Sequence, residues 1–342
     1  MAKSDSLRKA KKSKNDEFYT RLEDIETEIS SHPDYVRHFK GKTVLCNCDD
    51  PEWSAFYVFF RLHFNQLGLK KLITTHYNKD GSSSYKLEWE GEKLGMDTVN
   101  MIKTPLQGDG DFRSEECIEL LKEADIVVTN PPFSIAREYY IPLLFKYNKQ
   151  FVIIGDLNWV TYKNVFPLIK ENKMWFGYKN VKEFKTPDGS IQKFGNKLWF
   201  TNLDLDKNHE NFPLTRNYKG NENNYPKYDN YDAIEVGRVS NIPKDYYGDM
   251  GVPITFLASF CPDQFEIIGI SKTPIGNHLR TQIYEKQIQY SMKNGKEKLS
   301  NVTKLNDGAA LLFDKKPEKY PHYEVDGKYY IAVYPRILIR KK

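Results

Sequence analysis

The stretch "DIVVTNPPFS", residues 125–134, joins a strand to a corner that cannot pair. Asp125 to Thr129 is a short run rich in β-branched residues, the pattern of a strand buried inside a parallel sheet. Pro131 and Pro132 carry no N–H and donate to neither a sheet nor a helix. Each proline also holds the residue before it in an extended conformation, so Asn130 and Pro131 stay out of helix. A stiff loop results, presenting the Asn130 side chain and at least one free carbonyl.

Downstream of this corner, "SIAREYYIPLLFKYN" reads as a helix that Ser134 is placed to cap and Pro142 to kink. "KQFVIIGDL" (149–157) is a further apolar strand, followed by a helix over "VTYKNVFPLIKEN". "KMWFGY" (173–178) and "KLWFTNLD" (197–204) give two more strands, joined by a hairpin around Asp188-Gly189. Upstream, "NDEFYTRLEDIETEISSH" is a helix entered through an aromatic loop, with Leu22, Ile25 and Ile29 at helical spacing. "KTVLCNCDDP" (42–51) is a first strand ending in a polar turn, and "EWSAFYVFFRLHFNQLG" a helix closed by Gly68. Trp53 and the aromatics of "SAFYVFF" are assigned to the core. "KKLITTHY" (70–77) is a second strand, residues 79–101 an inserted hairpin, and "SEECIELLKEA" a helix. Strands alternating with helices define an α/β protein with a doubly wound, mostly parallel sheet. Past residue 205 the alternation breaks into a smaller, irregular module with an Asn- and Tyr-rich segment, 217–232, that reads bases or forms a hydrogen-bonded loop. The expected division is a basic arm (1–14), a catalytic domain (15–204) and a recognition region (205–342).

An aromatic content of 14% with 28% charged residues describes a folded chain. No apolar stretch is long enough to cross a bilayer, and the lysine-rich start lacks the apolar core of a secretory signal, so the expected location is the cytoplasm. Cys46 and Cys48 lack the second pair or nearby histidines of a zinc site, so core thiols and no metal are expected. The first 14 residues carry Lys3, Arg8, Lys9, Lys11, Lys12 and Lys14 against Asp5, which accounts for the whole chain's net charge of +5. Such an arm is a solubilising tail or a contact for a phosphate backbone.

Open α/β sheets bind ligands beyond the carboxyl ends of their strands, where the strand order reverses. "NCDDP", "THY", "GDGDF" and "NPPF" all fall at strand ends and would converge on one rim. No G-x-G-x-x-G or Walker A loop is present to cradle a diphosphate, which favours a cofactor without phosphates.

Asn-Pro-Pro-Phe after a strand resembles the signature of methyltransferases that act on amino groups with S-adenosyl-L-methionine. The ordered set "DEFYT", "CNCDDP", "GDGDFRS", "DIVVTNPPFS", with "NYPKYDNYDAI", "GVPITFL" and "PRILIR" later, is similar to the EcoRI-type adenine-N6 DNA methyltransferases, in the motif order of their γ class. The likeness covers nearly the whole chain. It implies a class I methyltransferase sheet, double-stranded DNA as partner, base flipping, and a cognate restriction endonuclease that need not bind. The resemblance assigns Asn130, Pro131, Pro132 and Phe133 to catalysis: the Asn130 oxygen and Pro131 carbonyl grip the adenine amine, and Phe133 stacks on the base. It assigns Tyr19, Thr20, Asn47, Asp49, Asp50, Asp111 and Phe112 to the cofactor, although Asp49 and Asp50 can equally cap the following helix. The second strand ends Thr75-His76 where the family places an acid for the ribose, so the ribose contact stays open, and His76 is a surface residue or a ligand contact. With the resemblance, Arg8, Lys9, Lys11, Lys12 and Lys14 are read as DNA contacts. The rival readings are the same chemistry on RNA or a protein glutamine, and a non-catalytic DNA-binding relative. The DNA sequence recognised is not legible, although the basic segment 276–304 lies in the presumed recognition region.

Overall fold

The computed structural model describes residues 18–48, 50–78, 84–91, 101–186 and 188–342. The basic arm and Asp49 therefore lie outside the described residues. The chain forms two compact units, the first from residues 1–159 and 173–205 and the second from 160–172 and 206–342.

The first unit is built on one eight-stranded sheet: β1 (Thr43–Cys46), β2 (Lys71–His76), β3 (Tyr85–Trp89), β4 (Met101–Pro105), β5 (Ile126–Thr129), β6 (Gln150–Asp156), β7 (Trp175–Lys185) and β8 (Ile191–Thr201). Their spatial order is β4-β3-β2-β1-β5-β6-β8-β7. The central strands β2, β1, β5 and β6 are parallel. β3 runs antiparallel to both β2 and β4, and β8 antiparallel to both β6 and β7. The order reverses at β1, so β1, β2 and β5 carry the rim where a ligand crevice belongs. Every residue of β1 and β5 is buried, as expected of parallel strands covered on both faces. The expected inserted hairpin is instead an extension of the main sheet, because β3 adds directly to β2 in register Leu72↔Trp89 to His76↔Tyr85.

The helix Ala55–Leu62 starts at Ser54, whose hydroxyl accepts from Tyr57 N–H, and buries Phe56, Phe59 and Phe60 at helical spacing. Gly68 closes the segment at φ +63°, as expected. Ser114 caps the helix Glu115–Glu123 in the same way. These phenylalanines join Phe39, Val44, Val128 and Trp199 in the main core. Trp53, expected there, is 74% exposed because it sits in the turn before the helix rather than on its apolar face.

After the Asn-Pro-Pro-Phe corner the chain makes a wide π turn over Ala136–Tyr140, then an α-helix over Ile141–Lys146 with Pro142 in its first turn. Pro142 thus falls where the missing N–H costs least. Ser134 is not the cap: Ile135 occupies that position without a side-chain bond.

In the second unit, the helix expected over 160–172 shortens to Phe166–Lys170, with Pro167 setting its start. The remainder, expected to be irregular, carries two sheets. One has order β11-β17-β10-β9, from β9 (Ile234–Glu235), β10 (Met250–Pro253), β11 (Phe265–Ile270) and β17 (Arg336–Lys341). The other has order β13-β12-β15-β16-β14, from β12 (Gln287–Lys293), β13 (Lys296–Val302), β14 (Ala310–Phe313), β15 (His322–Val325) and β16 (Lys328–Ala332). Tyr225, Tyr228, Tyr231 and Asn230 are buried, and Asn230 bonds Gly308 O at 3.0 Å and Ala310 N at 2.8 Å. These four side chains of the Asn- and Tyr-rich segment are therefore structural, not a surface for bases.

Candidate active site

At the end of β5, Asn130 is buried and its Nδ2 donates to the carbonyl of Phe18. That bond fixes the amide orientation, since a carbonyl only accepts. Asn130 Oδ1 is left buried with no hydrogen-bond partner among the described residues. The Pro132 carbonyl accepts from Ile135 and Ala136, at 3.1 and 3.0 Å. The Pro131 carbonyl accepts nothing among the described residues. Two acceptors at adjacent residues thus stand without donors, and a buried acceptor in that condition costs about 1–3 kcal/mol unless a ligand satisfies it.

The segment Phe18–Thr20 is held in place by a two-way bridge, Tyr19 N to Lys185 O at 2.7 Å and Lys185 N to Tyr19 O at 2.9 Å. Thr20 is buried, and its Oγ1 also lacks a partner among the described residues. Phe133 sits in an aromatic cluster, its ring 6.2 Å from Phe18, 5.9 Å from Phe184 and 6.4 Å from Phe194. The Lys197 ammonium stands 3.9 Å from the Phe133 centroid and is paired with Asp156 at 3.0 Å.

Asn47, at the end of β1, ties the rim together. Its carbonyl accepts from Thr129 Oγ1, and its side-chain oxygen accepts from Tyr140 Oη. Burial pushes the Tyr140 phenol well above its ordinary range, so it remains a donor. Tyr140 also packs edge-on against the buried Phe112 ring at 5.0 Å. Cys46 ends β1 in the core, whereas Cys48 lies beyond the strand at φ +70°.

Asp50 organises the next turn, accepting from Glu52 N–H at 2.9 Å. Its carboxylate pairs with His76 Nε2 at 3.2 Å, and Tyr85 Oη reaches it at 3.5 Å. The Tyr85 phenol is raised, first by burial and then by the Asp50 charge. Asp50 therefore does not cap the helix Ala55–Leu62, a task Ser54 performs. His76 is no free surface residue, and its Nδ1 is a further buried atom without a partner among the described residues.

Gly110 packs against the backbone of His76 and Tyr77 at φ +80°, a conformation and closeness that exclude a side chain. Beyond it, Asp111 is gripped by Arg113 through both oxygens, from Nε at 2.8 Å and Nη2 at 2.6 Å. That grip holds the Asp111 carboxyl below its usual range.

Asn47, Phe112 and the Asn130 corner are joined through Thr129 and Tyr140, Asp50 meets the Gly110–Phe112 loop through His76, and Thr20 lies two residues after Phe18, whose carbonyl holds Asn130. Tyr140, Tyr85, Arg113 and Lys197 were not singled out from the sequence. Tyr140 carries only the helical spacing of a core residue, Tyr85 and Lys197 act through partners distant in the chain, and Arg113 bonds Asp111 two residues before it.

The rim at the switch point carries an orphaned amide oxygen after a strand, and relatedness gives the class of protein. The family described as Adenine-specific methyltransferase EcoRI matches residues 6–342. The chain is 50% identical over 296 residues to the type II methyltransferase M.EcoRI of Escherichia coli, covering 78% of this chain and 89% of that protein. It is 42% identical over 309 residues to the type II methyltransferase M.MgeORF184P of Mycoplasma genitalium, covering 84% and 93%. Against the type II methyltransferase M.MpnI of Mycoplasma pneumoniae the identity is 40% over 311 residues, covering 85% and 94%. No solved structure matches the chain. The chain belongs to the EcoRI family of adenine-specific methyltransferases, and it is a site-specific DNA methyltransferase.

Proposed function

We propose that this rim transfers a methyl group from S-adenosyl-L-methionine to N6 of an adenine rotated out of double-stranded DNA, on a sheet of the class I methyltransferase type. The observation that carries the reading is the pair of unsatisfied acceptors, Asn130 Oδ1 and the Pro131 carbonyl. Adenine's amine has two hydrogens and a lone pair delocalised into the ring. Two acceptors that draw on both hydrogens favour a pyramidal nitrogen with its lone pair free to attack. This geometry arises only on the way to the transition state, so it raises turnover more than affinity. Holding the reacting groups in line can contribute ~7–11 kcal/mol of barrier reduction. No base is required before attack: the N–CH3 bond forms as the S–CH3 bond breaks, the donor would leave as a neutral thioether, and the methylated nitrogen then sheds one proton to solvent. Pro132 keeps the corner stiff, and Phe133 supplies the ring for the flipped base once the Lys197 ammonium leaves its face.

The residues present suit the methyl donor. Thr20 Oγ1 and His76 Nδ1 are unsatisfied polar atoms, and Phe112 offers a buried ring surface. Bound there, S-adenosyl-L-methionine supplies an electrophilic methyl on a sulfonium. Tyr19 and Thr20 are assigned to its methionine end. Asn47, Asp49 and Asp50 are assigned to the loop beside it, and Asp111 with Phe112 to its adenine. Asp111 must share its carboxylate with Arg113 to do so.

Residues 15–204 are assigned to catalysis and 205–342 to target recognition. The arm of Arg8, Lys9, Lys11, Lys12 and Lys14 is assigned to phosphates, helping to offset the few kcal/mol of base flipping. The enzyme belongs to a restriction-modification system; a cognate endonuclease, whose binding is not required, and a cytoplasmic location complete the reading. No described helix is long and apolar enough to cross a membrane. The test is to incubate the purified chain with labelled S-adenosyl-L-methionine and duplex DNA, then digest to nucleosides. N6-methyladenine as the labelled product is expected; label in RNA or protein instead would overturn the assignment.

A further inference from the structure

The hairpin β12–β13 outgrows the sheet that contains it. β12 pairs with β15 only through Ile288, Gln289 and Tyr290, whereas it pairs with β13 as far as Lys293↔Lys296. From Ser291 to Lys298 the two strands stand alone, closed by Asn294 at φ +52° and Gly295 at φ +72°, a two-residue turn of left-handed backbone. Three residue pairs at ~3.3 Å per residue carry that turn roughly 10 Å past the last position a third strand covers.

The two faces of this ribbon differ. Cross-strand partners share a face, so Ser291–Lys298 and Lys293–Lys296 lie together. At its base this face joins the core of the sheet, through Gln287 and Val302. Beyond the core it carries a hydroxyl and three ammonium groups, and no acid. On the opposite face the acid of the ribbon, Glu297, is neutralised by Lys316 at 2.9 Å and bonded by Tyr320 at 2.7 Å. Lysines commonly guard an edge strand against pairing. Here Lys293 on one strand shares its face with Lys296 and Lys298 on the other, so the charge gathers on one face of the ribbon.

We infer that the ribbon β12–β13 enters the major groove of duplex DNA and helps determine which sequence is methylated. The inference rests on the assignment of the chain to DNA adenine methylation. A major groove about 12 Å wide and 8.5 Å deep admits a two-stranded ribbon. Ser291 and Lys298, mid-ribbon, meet base edges, with lysine suited to the two acceptors of guanine. Lys293 and Lys296, at the tip, meet phosphates.

The experiment uses the full chain, wild type against Lys298→Met and against Lys293→Ala with Lys296→Ala. Each protein methylates mixed genomic DNA, and sequencing of the methylated adenines reads the target directly. Binding to a duplex bearing that target is then followed across salt concentrations. The Lys298→Met chain should accept a further base at one position, with discrimination there falling on the order of tenfold or more. The double variant should keep its target but lose about one unit of salt slope per phosphate contact, two in all. Unchanged melting temperature and methyl-donor affinity in both variants exclude misfolding; a variant that fails this control is replaced by Lys298→Gln or by the single tip substitutions. An unaltered target and slope beside an active wild type would overturn the ribbon's role alone. Tighter binding of these lysines to RNA than to duplex DNA would also overturn it. A wild type that methylates no DNA would overturn the underlying assignment, and the ribbon's with it.

Discussion

The side-chain amide of Asn130 donates to the main-chain carbonyl of Phe18, joining two segments 112 residues apart and fixing which atom of that amide remains free. Without this bond the amide could rotate and present its NH2 group, a donor that would repel the adenine amine. The aromatic segment ahead of the first strand is thus tied to the Asn-Pro-Pro-Phe corner through its backbone.

Thr20→Val separates a ligand-seeking hydroxyl from a structural one. Because Oγ1 has no partner among the described residues, the isosteric methyl should leave thermal stability unchanged or slightly higher. Affinity for S-adenosyl-L-methionine should fall about tenfold by calorimetry, equivalent to one hydrogen bond of about 1.4 kcal/mol. A loss of stability with affinity intact would remove Thr20 from the site.

Tyr140→Phe deletes the hydroxyl that satisfies the buried Asn47 oxygen. Chemical denaturation should show a loss of about 0.5–1.5 kcal/mol, the net worth of one hydrogen bond, because the Cys48 thiol still donates weakly to the same oxygen at 3.6 Å. A loss near zero would mean that Asn47 finds another donor.

Gly110→Ala forces a side chain onto a left-handed residue pressed against the His76 carbonyl. The backbone alone costs about 1–2 kcal/mol, and the displaced loop carries Asp111 and Phe112. Stability and methyl-donor affinity should fall together; a fall in stability with affinity unchanged would detach this loop from the site.

The Asp111–Arg113 pair gives a pH signature. The folded-state carboxyl lies below its ordinary value because Arg113 bonds both oxygens. Its stabilising contribution is therefore complete above the ordinary aspartate value of about 3.9 and disappears as pH falls through the lowered one. Arg113→Ala should be less stable than wild type by no more than about 1 kcal/mol at neutral pH, since Arg113 is exposed. In denaturation series that gap should close below about pH 4. A gap that persists undiminished toward pH 2 would assign it to Arg113 packing instead.

The central parallel strands were legible because each is a short, largely apolar run rich in β-branched residues and bounded by turn residues. The motifs that carry Asn130, Asn47 and Phe112 were legible because they stand in a fixed order along the chain. The placement of β3 was not, since a short antiparallel strand looks the same in a free hairpin as on a sheet edge. Tyr140 was hidden for a different reason: a buried tyrosine on an apolar helix face is indistinguishable from core until its hydroxyl's partner, 93 residues away, is known. His76 and Asp50 meet only because β2 and the turn after β1 are neighbours in the sheet. Ser134 failed as a cap because the π turn delays the helix start by a residue.

Asn130→Ala tests the central claim most directly, in single-turnover methylation of a duplex target with methyl-donor and DNA affinities measured on the same protein. Loss of an acceptor that acts only in the transition state should slow methyl transfer on the order of 10²-fold or more while both affinities stay near wild type. A transfer rate close to wild type, or a loss wholly explained by weaker binding, would contradict it.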